Sequence, residues 1–171
     1  AQGNDGSQAK PTAAVLDFVG SGITTQEAQV LTQRLGSELV QTSALIMVER
    51  NQMNEIMEEQ GFQQAGCTSA ECAAEIGALL GVQKMISGSF GKIGNSYTIE
   101  ARMFTVESGK TEKTVSKTYK GEVDGLLPQI QIVAWELVGL TPPADLLALA
   151  GVETAEEVAE EKPKKKGGSK W

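Results

Sequence analysis

The chain has 171 residues, 40% of them apolar and 5% aromatic, with a formal net charge of −7 and no histidine. That length suits one domain with short tails, and its core must be built mostly from Leu, Ile, Val, Met and Ala. The missing histidine excludes a Ser-His-Asp triad, a Cys-His pair and His-ligated metals; two cysteines cannot close a structural zinc site; and the acidic balance opposes binding to nucleic acid or anionic lipid.

Residues 1 to 11 carry almost nothing apolar and predict a disordered leader. The start at Ala1-Gln2-Gly3 reads as the mature end left by a signal peptidase, which predicts a periplasmic or cell-envelope protein of a bacterium. No apolar run reaches the roughly 20 residues needed to span a bilayer.

Ala13 to Val19 is an apolar run closed by Gly20, the pattern of a strand covered on both faces. Ala28, Leu31, Leu35 and Leu39 then recur at spacings of three and four, predicting an amphipathic helix over 25–42 capped by Thr24 or Thr25. Leu45 to Val48 predicts a second short buried strand. Asn51 is expected to cap a helix that buries Met53, Ile56 and Met57 and ends near Gly61. After a loop, Cys72, Ala73, Ile76, Leu79 and Leu80 share one face of a third helix closed by Gly81.

From Val82 the apolar period changes from helical to two. A strand over 82–93, a turn at Gly94-Asn95 and an alternating strand from Tyr97 predict a hairpin. The alternation slips at Phe104 and Val106, which predicts a bulge or a strand end buried on both faces. Ser108-Gly109 makes the next turn, and the Thr- and Lys-rich 113–119 reads as an edge strand. A helix over 123–138 buries Leu126 or Leu127 with Ile130, Val133, Ala134 and Leu137, and a short helix over 144–150 follows Pro142-Pro143.

The fold class is therefore α/β (α+β): a mixed sheet of about five strands in the order βαβααβββα, with helices packed against it. The domain plan is a leader over 1–11, a core over 12–140, a short helix over 141–151 and a charged tail over 152–171.

Several stretches taken together resemble the CsgG family, whose relatives include the amino-terminal domain of TolB and the lipoprotein activators of penicillin-binding proteins. They are Ala14 to Phe18, Val48-Glu49-Arg50, Met53 to Phe62, Ala74 to Val82, Ile86 to Phe90 and Phe104 to Lys110, spread over roughly 12–140. The resemblance implies an envelope location and protein–protein work without catalysis or cofactors. Two departures stand out. Residue 1 is Ala with no nearby cysteine for a lipid anchor. The span from Ser89 to Thr98 is a tight turn, leaving no segments of ~9–11 alternating residues to line a membrane pore.

Individual residues have competing readings. Asp17 in its apolar strand is either a ligand-binding or catalytic carboxylate or, as favoured here, one satisfied by backbone amides or Arg50. Gly88, Gly91 and Gly94 fit a phosphate cradle poorly, because they lead into a hairpin rather than a helix; close strand packing suits them better. Arg50, Glu55, Glu58 and Glu59 are candidate partner-binding residues, against a solvated helix face for the glutamates. Met47, Met53, Met57, Met85 and Met103 read as core before groove, and Trp135 as half-buried. Glutamates over 153–161 and lysines over 162–170 read as a solvated tail or as an arm meeting membrane or cell wall. Thr68 and Glu71 read as a capping box, which sets Cys67 and Cys72 at the contacting staple positions and predicts a disulfide in an oxidising compartment, against two reduced thiols.

The function this supports is a non-catalytic envelope domain that binds protein partners as an assembly or scaffold component, with self-association left open. The alternatives are a regulatory activator docking on an envelope enzyme and a small hydrolase using Asp17.

Overall fold

The computed structural model describes residues 10–61 and 69–151. The elements in order are β1 (Thr12–Val15), β2 (Val19–Ser21), α1 (Thr25–Gln41), β3 (Ile46–Met47), α2 (Arg50–Glu59), α3 (Ala70–Leu80), β4 (Lys84–Ile93), β5 (Ser96–Thr105), β6 (Lys110–Lys120), a 3-10 turn (Val123–Gly125), α4 (Leu126–Leu137) and α5 (Ala144–Leu149). They form a mixed α/β fold around a six-stranded sheet of order β3-β1-β4-β5-β6, with β2 also paired to β4. β1 runs parallel to β3 and β4, whereas β4, β5 and β6 form an antiparallel meander.

The sheet is buried on both faces near β1, as its unbroken apolar run requires. Alternate side chains of a strand point to opposite faces. Ala13 and Val15 accordingly join one core with Leu31, Leu35 and Leu39 of α1 and Ile130, Val133 and Leu137 of α4. Ala14 and Leu16 join the other core with Met53 and Met57 of α2 and Ala73 and Ile76 of α3. Burying each of these large aliphatic side chains contributes about 1.5–3 kcal/mol. Met53, Met57, Met85 and Met103 are all core residues.

The sixth strand, β2, starts at the last residue of the first apolar run and continues through Gly20, which was expected to close it. The Leu16 N–H still reaches Ile86 O at 2.8 Å, but the Phe18 N–H turns aside to Thr32 Oγ1 at 3.1 Å. The ladder therefore breaks around Asp17 and resumes as β2, paired with Ser89 to Gly91 of β4. Thr32 is fully buried inside α1, and its hydroxyl also donates to Ala28 O at 2.7 Å.

Helix ends follow local chemistry, with two corrections. Thr24 caps α1 in a capping box: its Oγ1 accepts the Glu27 N–H, and Glu27 Oε1 accepts the Thr24 N–H. α2 begins before Asn51, with Glu49 at the cap and no side-chain cap bond. In α3 the cap is Ser69, whose Oγ accepts the Cys72 N–H at 3.1 Å. Cys72 is thus the third helical residue. The inward face of α3 uses Gly77 rather than Leu79, which is 39% exposed; a Cβ on Gly77 would come within 2.5 Å of Val106 Cγ2 and 2.7 Å of Met85 Cγ. β3 is likewise an edge strand with Ile46 exposed, not a buried one.

The predicted bulge is present as a register shift between Met103 and Phe104. The extra residue is Glu112 on β6; β5 itself is uninterrupted, so Phe104 enters the core of α2 and α3 by ordinary alternation, opposite Tyr97, Ile99, Ala101 and Met103 in the core of α1 and α4.

Candidate partner-binding surface

Asp17 lies just past β1, and Arg50 opens α2. One guanidinium nitrogen of Arg50 donates to Asp17 Oδ1, and the other donates to Val15 O at 3.2 Å. Both side chains are mostly covered, 24% and 20% exposed. The pair ties the interrupted first strand to the start of α2, so the structural reading of Asp17 holds and Arg50 acts as a tether. Glu55, Glu58 and Glu59 stand on the exposed side of α2. Arg50 and these three glutamates therefore do not form one cluster of like purpose.

The glycines of β4 serve close strand packing. A Cβ on Gly88 would fall 1.9 Å from Glu100 O and 2.8 Å from Phe18 Cε2, which packs its ring on Phe90 at 4.9 Å. One on Gly91 would meet Thr98 Oγ1 at 2.6 Å. Gly94 takes φ 59° in the turn to β5. Its neighbour Asn95 is not at positive φ, so only the first turn position needs glycine, as in a type II′ hairpin.

The predicted disulfide involves Cys67, which lies outside the described residues. The Ser69 cap places Cys72 at the third helical residue rather than the fourth. Residues 1–9 of the predicted leader and the charged tail over 152–171 also lie outside the described residues.

A groove of about 570 Å³ opens where the turn after β2, the first half of α1, the β4–β5 hairpin and the start of α4 meet. Ile23, Val30, Val123 and Leu127 give it an aliphatic lining, and Glu27 and Asp124 stand at its rim. Val30 is 57% exposed, Val123 52% and Leu127 39%; Ile93, beside the groove residue Lys92, is 86% exposed. Its frame is rigid. Gly22 adopts φ 82° with its Cα against Lys92 O, where a Cβ would sit at 2.2 Å. The Tyr119 hydroxyl donates to Glu122 O at 2.8 Å and fills space that a Cβ on Gly125 would need, pinning the 3-10 turn that presents Val123. Lys92 Nζ lies 5.4 Å from the centre of the Tyr97 ring.

Sequence reasoning missed this groove. Leu127 was an alternative core residue, but Leu126 takes the core and Leu127 faces outward. The signal was there in the aliphatic residues that break phase: Val30 falls outside the 28, 31, 35, 39 stripe, and Ile93 abuts a turn.

The fold defines a mixed α/β domain; among the described residues no helix is long and apolar enough to cross a membrane, and no Cys, Asp or Glu side chains group to hold a metal. The chain belongs to the family described as curli production assembly/transport component CsgG, whose model matches residues 7–115. No curated protein matches it in sequence. Among solved structures it is similar to the LpoB C-terminal domain from Escherichia coli, with 17% identity, a TM-score of 0.54 and coverage of 70% of this chain and 89% of that one. The corresponding domain from Salmonella enterica gives 16% identity, a TM-score of 0.53 and coverage of 67% and 87%. The lipoprotein GNA1162 from Neisseria meningitidis gives 12%, 0.57, and 70% and 90%. At these identities the structures share the fold.

Proposed function

We propose that this chain is a non-catalytic domain of a bacterial cell envelope that binds protein partners as an assembly or scaffold component. The observation that carries this reading is the groove, where three exposed aliphatic side chains, Val30, Val123 and Leu127, gather beside the half-buried Ile23 on a closely packed frame. Clustered exposed aliphatic surface with a polar rim suits a protein contact. Family membership supports the setting, since the family's description is of assembly and transport in curli production. The fold shared with a protein named as a lipoprotein supports the envelope location. Asp17, the one carboxylate that suggested hydrolysis, is engaged by Arg50.

The test is crosslinking of the full chain in intact producing cells, followed by fractionation and mass analysis of the crosslinked peptides. The expected result is an envelope-fraction adduct joining a second protein to residues bordering the groove. A chain found only in the cytoplasm, or without a protein adduct at any surface, would overturn the proposal.

A further inference from the structure

β6 closes one side of the sheet. It pairs with β5 alone, and among the described residues no main-chain bond reaches its outer edge. It is also the longest described strand at 11 residues, whereas the opposite edge is closed by β3 with two. A free edge exposes a row of alternating N–H and C=O groups, a template for another strand. A short edge is protected by its length; a long one needs another device. Here the device is charge, because β6 carries Lys110, Lys113, Lys117 and Lys120. Lys117 is paired with Glu136 at 3.1 Å, and the strand's one carboxylate, Glu112, is paired with Lys84. Lys110, Lys113 and Lys120 have no ion-pair partner among the described residues. Beside the strand runs a cleft of about 360 Å³, lined by Lys113, Val115, Ser116, Leu140 and Thr141.

These lysines repel a second copy of β6, since an edge-to-edge pair would set lysine against lysine. They do not repel an acidic strand. We propose that the outer edge of β6 is a β-augmentation site for an extended, acidic segment of a partner polypeptide. The backbone ladder supplies affinity, Lys110, Lys113 and Lys120 select acidic side chains, and the cleft along Leu140 accepts an apolar side chain. The proposal deepens the binding-domain reading and rests on it for its setting, but its site is separate from the aliphatic groove.

The test uses the full chain and a synthetic peptide, Glu-Val-Glu-Thr-Glu-Val-Glu-Thr, with a control that has Lys in place of each Glu. Amide hydrogen exchange followed by NMR is expected to slow at alternate residues of β6 when the acidic peptide is added. The lysine peptide should leave β6 unchanged. Raising sodium chloride from about 50 to about 500 mM should weaken binding, and the Lys113→Glu, Lys120→Glu double variant should weaken it about tenfold with an unchanged melting temperature. The salt titration needs no variant, so the proposal is tested even if the double variant folds poorly. Equal binding of the two peptides, or protection away from β6, overturns it. Loss of peptide binding with groove crosslinks intact overturns the edge site alone; peptide binding without groove crosslinks overturns the groove reading alone.

Discussion

Arg50 reaches back across 33 residues of sequence to hold Asp17 and the carbonyl of Val15 in one grip. The bond falls where the first strand stops pairing, so a charged side chain replaces the missing ladder contact. Hydrogen bonds to charged groups are worth about 1.5–3 kcal/mol, less where solvent reaches them. Arg50→Ala should therefore lower unfolding stability by about 1–2 kcal/mol in a urea titration. Asp17→Asn should lower it less, because the bond to Val15 survives. A double-mutant cycle with no coupling between the two would contradict the tether.

Two glycine substitutions should move stability in opposite directions. Gly88→Ala places a methyl 1.9 Å from Glu100 O, a backbone atom that cannot yield without parting β4 from β5. A loss of more than about 3 kcal/mol is expected. Gly36→Ala meets nothing within 4 Å on the surface of α1 and should gain about 0.5–1 kcal/mol from helix propensity. Thermal melts of the two variants check both signs.

The Glu112 carboxyl accepts hydrogen bonds from Lys84 and Thr105, and the Lys84 bond holds its pKa below the usual carboxylate range despite opposing burial. A carboxyl depressed in the folded state stabilises the fold above its unfolded pKa, and that contribution is lost as pH falls through the folded pKa. Wild type and Glu112→Gln should thus differ in melting temperature near neutral pH and converge in acid. A constant gap across the pH range would contradict this.

The sequence-level expectations succeeded where one force decided the structure. The 28, 31, 35, 39 stripe became the buried face of α1, and Phe104 has a core of its own to enter because the sheet is covered on both faces at that end of β5. They failed where two local solutions compete. Thr68 and Ser69 are both good caps by residue type, and the helix takes Ser69. The break after Leu16 involves Thr32, a polar residue on the buried face of α1 four residues after Ala28, whose hydroxyl accepts the Phe18 N–H. For the candidate surface, the sequence offered Arg50 both as a counter-charge for Asp17 and as a partner-binding residue, and the structure shows the internal bond to Asp17. The groove needed the relative rotation of α1 and α4, which periodicity within each helix does not carry.

The central claim is that the groove bounded by Val30, Val123 and Leu127 is where a partner protein docks. Val30 is more than half exposed, so a photo-crosslinking residue there leaves the core intact. The most direct measurement is the yield of its adduct in intact cells, with and without Leu127→Glu, beside the same probe at Glu55 on α2. The account predicts a discrete protein adduct from position 30, reduced at least about tenfold by Leu127→Glu at unchanged melting temperature, since a charge buried without a partner costs several kcal/mol. An adduct from position 55 alone, or a position 30 adduct indifferent to Leu127→Glu, would contradict it.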